Sequence, residues 1–268
     1  MSAEAHLLEG NLDAALTQLE ADVRADPAAS KHRVFLFQLL AVRGEWDRAL
    51  TQLNVMSEMD PGTLSLVHTY REALACELLR KEVFKGERTP LIFGEPQEWV
   101  ALLFEAIKHT AAGRHAEAAP LAEKALEEAP ASPGKIDDQP FEWLADADSR
   151  LGPVIEAVIN GRYYWVPCAN VRELTIEPPT DLRDFVWAAA HFTWTNGGET
   201  VALLPSRYSG SDDHADPLIR LGRKTEWEEV AESTFLGHGQ KMLMTDGGEF
   251  PLLDVRTIRF DDGRADGS

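Results

Sequence analysis

A few residue groups carry side chains that could do chemistry. Asp212-Asp213-His214-x-Asp216 sets three carboxylates and an imidazole within five positions, a donor set that suits a divalent cation. The run lies in a polar loop, residues 206–216, with nothing placed to orient ligands, so a solvated surface loop accounts for it. His109 and His115 straddle a turn and could share a ligand, but they read more simply as a solvated pair. Asp137-Asp138 and Glu228-Glu229 are carboxylate pairs of the kind used in acid–base work. Adjacency alone does not make a catalytic pair, and both read as solvated faces. Gly237-His238-Gly239 has the form of an anion nest and reads as a turn.

Cys76 lies in an apolar helical context and Cys168 follows Pro167 in an apolar strand, so both are expected to be buried rather than reactive. The sequence contains no phosphate-binding glycine loop, dinucleotide fingerprint, HExxH, CxxC or GxSxG. The expectation is a protein with no catalytic residue, metal or cofactor. The chain has 268 residues, with 26 Lys and Arg against 45 Asp and Glu, for a net charge of −19. Such a balance opposes binding to nucleic acid or to an anionic membrane, both of which depend on Lys and Arg. No stretch is apolar enough to span a bilayer. Residues 1–16 carry acids where a secretory leader has a basic region, and two cysteines cannot form a disulfide framework, so a cytoplasmic setting is expected.

The elements that would position these groups fall into two periods. Gly10-Asn-Leu-Asp-Ala-Ala15-Leu running to Pro27 recurs as Gly44-Glu-Trp-Asp running through Ala49 to Pro61, at an offset of 34 residues. A third copy contains Gly113, Ala118 and Pro130. This is the period and small-residue register of a tetratricopeptide-like helix pair. Glycine would sit where two helices meet, alanine where the second helix approaches the first, and proline where that helix stops. Residues 31–43, 63–84 and 98–112 read as further helices, with 86–96 and 131–139 as loops. Residues 141–147 and 154–159 are expected to close the array as an atypical helical cap.

From Asn160 the pattern becomes aromatic and β-branched. Strands are expected at 163–168, 171–176, 185–194, 200–204, 241–245 and 255–260, with hairpin turns at Asn196-Gly197-Gly198 and Asp246-Gly247-Gly248. Pro167, Val171, Arg172, Leu174 and Ile176 match Pro251, Val255, Arg256, Ile258 and Phe260 at a constant offset of 84, which suggests equivalent strands of a small barrel. The predicted architecture is α+β. A tetratricopeptide-like domain over 1–158 precedes a small, mainly-β, barrel-like domain over 159–260 and a disordered tail over 261–268.

Several strings in the β part are more specific than the repeats. Tyr163-Tyr-Trp-Val-Pro167, Val171-Arg-Glu-Leu174, Ile176-Glu-Pro-Pro-Thr-Asp-Leu-Arg-Asp184, Leu204-Pro-x-Arg-Tyr208, Arg220-Leu-Gly-Arg223 and Pro251-Leu-Leu-Asp-Val-Arg256 resemble the TagJ/ImpE family of type VI secretion accessory proteins. The resemblance spans nearly the whole chain. It implies a cytoplasmic, non-enzymatic adaptor that binds a helix near the N-terminus of the small contractile-sheath subunit. It also implies a link to the AAA+ ATPase that disassembles contracted sheath. A repeat stack can receive such a helix, and the expected surface is the inner face of the first two repeats, through Arg33, Phe37 and Leu40. The alternative is the β domain near Trp187 or Trp194. Two rival classes are a generic repeat adaptor with another client and an enzyme at the seam of the two parts, around Asp212, Asp213 and His214.

Overall fold

Three glycines with left-handed backbone organise the helical half. The structure is a computed structural model that describes residues 2–261. Its helices are α1 (Ala3–Leu8), α2 (Leu12–Ala25), α3 (Ser30–Val42), α4 (Trp46–Met59), α5 (Leu64–Phe84), α6 (Glu98–Ala111) and α7 (His115–Glu128). Gly10, Gly44 and Gly113 stand between α1 and α2, α3 and α4, and α6 and α7, with φ of +75°, +71° and +71°. Each closes the preceding helix with the same pair of bonds. After α3, for example, Gly44 N donates to Ala41 O (3.1 Å) and Glu45 N to Leu40 O (3.0 Å). That is the Schellman arrangement, which satisfies the last carbonyls and turns the chain back. Ala15, Ala49 and Ala118 are buried in the second helix of each pair. Pro61 opens a 3-10 turn whose Gly62 amide donates to the Asp60 carboxylate at 2.8 Å. The helical half is compatible with a tetratricopeptide-like array. Among the described residues no helix is long and apolar enough to cross a membrane.

Helix α3 is apolar nearly all round its C-terminal half, with Leu36, Phe37 and every residue from Leu39 to Val42 buried. Such a helix must be covered on several sides. Helices α2 and α4 cover part of it. The remainder is covered by the C-terminal part of the chain, through the 3-10 turn Leu182–Phe185 and the residues that follow it.

The strands are β1 (Leu91–Ile92), β2 (Gly134–Ile136), β3 (Gln139–Phe141), β4 (Leu144–Asp146), β5 (Val154–Ile159), β6 (Arg162–Pro167) and β7 (Val171–Ile176). Then come β8 (Trp187–Trp194), β9 (Glu199–Pro205), the short helix α8 (Pro217–Arg220), and β10 (Thr225–Ala231) paired with β11 (Thr234–Gly239). The chain finishes with β12 (Met242–Thr245), β13 (Gly248–Pro251) and β14 (Thr257–Phe260). Among the described residues they form a nine-stranded sheet, β1-β6-β5-β9-β8-β7-β14-β2-β3, a three-stranded sheet, β13-β12-β4, and the β10-β11 ribbon. Ala188, Ala190, Phe192 and Trp194 alternate into a core shared with Leu174, Ile258, Leu243 and Leu252, whereas Trp187 faces the helices.

Several expectations are corrected here. The sheet is open rather than barrel-like, since β1 and β3 lie at its two ends. Residues 141–147 and 154–159 are not a helical cap. They contribute β3, β4 and β5, and β5 is buried at every position. A short run such as Val154–Ile159, apolar but for Glu156, has no period to distinguish buried strand from buried helix. The change from helix to strand therefore comes at Gly134, ahead of the 158/159 border. The loop 86–96 contains β1, which pairs parallel to β6 at Leu91–Tyr164, and the loop 131–139 contains β2. Asp137 and Asp138 are exposed, as expected, and are the two left-handed residues (φ 44° and 69°) of the β2–β3 hairpin. The Asp137 carboxylate there accepts the amides of Arg256 (3.0 Å) and Thr257 (2.7 Å). Gly237 and Gly239 belong to β11 rather than a turn. The matched strands β7 and β14 are antiparallel neighbours, and their equivalent residues Leu174 and Ile258 are direct partners. The expected tail lies outside the described residues, apart from Asp261.

Equal backbone strain and unequal space at two repeat glycines give a stability test. A Cβ at Gly44 would overlap the Asp212 carboxylate, whereas Gly113 has nothing within 4 Å. Gly113→Ala is expected to cost about 1–2 kcal/mol from the left-handed backbone alone. Gly44→Ala should cost about 1–3 kcal/mol more, for the forced displacement. Urea denaturation of the two variants measures the difference.

Candidate functional site

Two features stand out: a buried chain of charges where helices meet sheet, and an apolar groove at the end of α7. The charges centre on Arg80 of α5. Its Nε and Nη2 donate to the two carboxylate oxygens of Glu156 on β5, at 2.6 and 2.9 Å. Nη2 also reaches Arg207 O (2.8 Å), and Nη1 lies 3.4 Å from Glu77. Lys241 completes the chain, with Nζ 2.8 Å from Glu156 and 2.6 Å from Asp146. Tyr163 donates its hydroxyl to Glu156 and accepts Trp165 Nε1 at 2.8 Å. Trp187 Nε1 donates to Glu77 at 3.0 Å. Arg150 and Asp148 form a neighbouring buried pair, with Nε to Oδ1 at 2.8 Å.

Burial pushes the Glu156 carboxyl up, but the Arg80 and Lys241 charges outweigh it and hold the group well below the usual carboxylate range. For Asp146 burial prevails over Lys241, and its carboxyl lies above its ordinary value. Burial raises both the Cys76 and Cys168 thiols to about 12, so neither is a thiolate at neutral pH. Shifted groups at a seam would also mark an active site. Here, however, they satisfy one another, and the cavity bordering them measures about 10 Å³, room for about one water. The cluster acts as a fastener between α5, β5 and the start of β12.

The loop read as a possible cation site is likewise engaged by the fold. Asp212 is buried 2.6 Å from Lys81 Nζ, and Asp213 lies 3.4 Å from the same atom. Asp216 caps α8 through Leu218 N at 2.8 Å, and His214 Nδ1 accepts the Asp216 amide at 3.1 Å. His109 sits 3.1 Å from Glu117. Among the described residues no group of three or more His, Cys, Asp or Glu is placed to hold a metal ion.

The residues expected to meet a partner are mostly interior. Phe37 and Leu40 are fully buried in the helical core. Trp187 is fully buried against Tyr70 and Trp46, with ring centroids 5.6 and 6.1 Å apart. Trp194 is buried and stacked between Phe93 (3.9 Å) and Phe192 (4.7 Å). Arg33 is half-buried and spends its donors on Pro27 O (3.2 Å) and Gln52 (3.3 Å). The physical reason is that the chain fills its own repeat groove. Val186, Trp187 and Leu221 pack into the helical core, and Arg207 donates to Val42 O at 2.9 Å.

The apolar groove has a volume of about 650 Å³. One wall is the end of α7 and the segment after it, Leu126 and Ala129–Ser132. The floor runs from Trp143 to Ser149 along β4, and the far wall is the β10–β11 ribbon with Trp227 and Phe235. Met244 and Glu249 of the β12–β13 hairpin close one side. Leu126, Trp143, Trp227 and Phe235 are 46, 38, 38 and 39% exposed, a concentration of large apolar side chains left in water. Sequence reasoning misses the groove, because it assigns Trp143 to a helix and Phe235 to no element. A strand assignment for 141–146 would have shown Trp143 pointing away from Leu144.

Comparisons with known proteins follow the same outline. The family described as ImpE protein matches residues 138–259. A Pseudomonas aeruginosa protein, the type VI secretion system accessory component TagJ, is 50% identical over 261 residues, covering 97% of this chain and 92% of that protein. The crystal structure of a Vibrio parahaemolyticus protein superposes with a TM-score of 0.88 at 26% identity, over 97% of both chains.

The charge chain sets a pH dependence. Because Glu156 is depressed from 4.5, its stabilisation is fully present above about pH 4.5 and is lost as pH falls from there through the folded-state value. Glu156→Gln should lower stability at neutral pH by about 3–5 kcal/mol, as expected for breaking a buried ion pair. It should also give a shallower loss of stability below about pH 4.5. Asp148, depressed by Arg150 against its own burial, leaves part of that slope in place. Urea unfolding of both proteins from about pH 7 to about pH 2 checks the sign and the difference.

Proposed function

The chain belongs to the TagJ/ImpE family, and we propose on that premise that it is a cytoplasmic type VI secretion accessory protein that works by binding, not catalysis. Its partner in this reading is the small subunit of the contractile sheath, held through the helix near that subunit's N-terminus. The AAA+ ATPase that disassembles contracted sheath is the machine it serves. One observation supports a docking role above all: an open apolar groove with four partly exposed anchors, Leu126, Trp143, Trp227 and Phe235.

The choice of groove follows from where surface remains free. A tetratricopeptide-like array ordinarily offers its inner face to a peptide, but here Trp187 and its neighbours cover that face from within the same chain. The apolar stripe of an amphipathic helix, three to four side chains per two turns, needs a trough lined by large apolar groups and not tied off by hydrogen bonds. The groove supplies this. Trp and Phe anchors in a pocket are the side chains that most often dominate binding energy.

Calorimetry against the N-terminal helix of the small sheath subunit from the same organism tests this reading. One-to-one binding at micromolar affinity or tighter is expected. Trp143→Ser with Phe235→Ser should weaken it at least about tenfold, or about 1.4 kcal/mol, while the thermal midpoint holds. A folded protein that ignores both the helix and the full-length subunit would sink the partner. Binding untouched by the double variant would sink the groove.

A further inference from the structure

The groove is apolar within and acidic at its edge, with no Lys or Arg among the described residues that line it. Glu249 lines it directly, opposite Met244 in the β12–β13 hairpin. Glu229 stands across the ribbon from Phe235 and two residues along β10 from Trp227, on the same face as both. Glu142 immediately precedes Trp143. All three are exposed, and among the described residues none of their carboxylates meets a Lys or Arg, unlike many other surface acids of the chain, such as Glu20, Glu45 and Glu82. The lining itself contains no Lys or Arg. Its two other acids, Asp146 and Asp148, are turned inward onto Lys241 and Arg150.

We infer that the groove selects an amphipathic protein helix whose apolar stripe is flanked by Lys and Arg. This rests on the groove being the docking site argued above, and it adds the chemistry by which a helix is chosen. Unpaired carboxylates around an apolar trough attract a cationic segment over distance and repel an acidic one. The buried anchors then hold whichever helix arrives in register. Rim charges act mainly on the rate of association and its salt dependence, so selection precedes seating. A membrane or nucleic acid does not fit this site, because both present anions to it.

Two designed helical peptides with the same leucine stripe, one with Lys flanks and one with Glu flanks, serve as probes of the full-length protein. The wild type should bind the Lys form at least about tenfold tighter, chiefly through faster association that slows with added salt. Charge reversal at the rim, Glu142→Lys with Glu229→Lys and Glu249→Lys, should abolish that preference. Equal reversal elsewhere, Glu4→Lys with Glu9→Lys and Glu58→Lys on and beside α1 and α4, should preserve it, which separates the rim from the net charge of −19. The inference is overturned if neither peptide binds, if the wild type shows no preference, or if the two triple variants behave alike. Loss of sheath-helix binding with the Lys preference intact would instead remove the proposed partner and leave the selection rule standing.

Discussion

Arg80 is a guanidinium buried among groups that belong to other parts of the chain, and the arrangement of the two halves depends on it. It reaches Glu156 on the sheet at 2.6 Å and the backbone of Arg207 at 2.8 Å. Glu156 in turn meets Lys241, and Lys241 meets Asp146. A buried ion pair is weak evidence for stability, because desolvation offsets much of the attraction. Its consequence is specificity of placement. An Arg80 without Glu156 would be a charge in the interior, so any packing of α5 on the sheet that separates them is strongly disfavoured. The apolar contacts of Trp187 with Tyr70 and Trp46 could tolerate small slips; the charge chain does not.

That fastening explains why the helical half is not an independent repeat scaffold. Three helix pairs leave apolar surface at the ends and along the inner face. Here α5 lies against β6, and α3 lies against the 3-10 turn Leu182–Phe185. The groove that repeat proteins normally keep open is part of the core. An apolar groove open to solvent lies instead where the array stops, at Leu126 and Pro130, and where the smaller sheet and the ribbon begin.

What could be read from the sequence divides along the range of the interactions. The glycines at 10, 44 and 113 were legible because a left-handed helix stop is a local requirement, met within six residues. The Asn196-Gly197 hairpin and the β8–β9 pair were legible for the same reason. Val154–Ile159 was not, because only the strands on either side make it a strand. The interior position of Trp187 was not, because it is buried against Trp46 and Tyr70, more than a hundred positions away. Arg80 and Glu156 stand 76 positions apart, and nothing near either one announces the other. The groove gathers side chains from the α7 end, β4, the ribbon and the β12–β13 hairpin, so no window of sequence contains it. The family resemblance pointed to a type VI secretion accessory component where pattern could not, although Phe37 and Leu40, expected on repeat architecture to meet a partner, are interior.

The charge chain and the groove are joined by Asp146 and Asp148, which border the groove while their carboxylates point into the fold. Asp146 fixes the floor to Lys241, hence to Glu156 and α5. Asp148 accepts Gly237 N at 2.8 Å and so fixes the far wall, where Gly237 lies flat against the Tyr208 ring with no space for a side chain. Ser149 ties the same wall again, donating its amide to Phe235 O at 3.0 Å and accepting Phe235 N at 2.9 Å. The backbone position of Phe235 is therefore set by the fold itself. A groove preformed in this way avoids part of the ordering entropy that weakens association. It follows that the interior polar network governs how the exposed side chains of the groove are aimed.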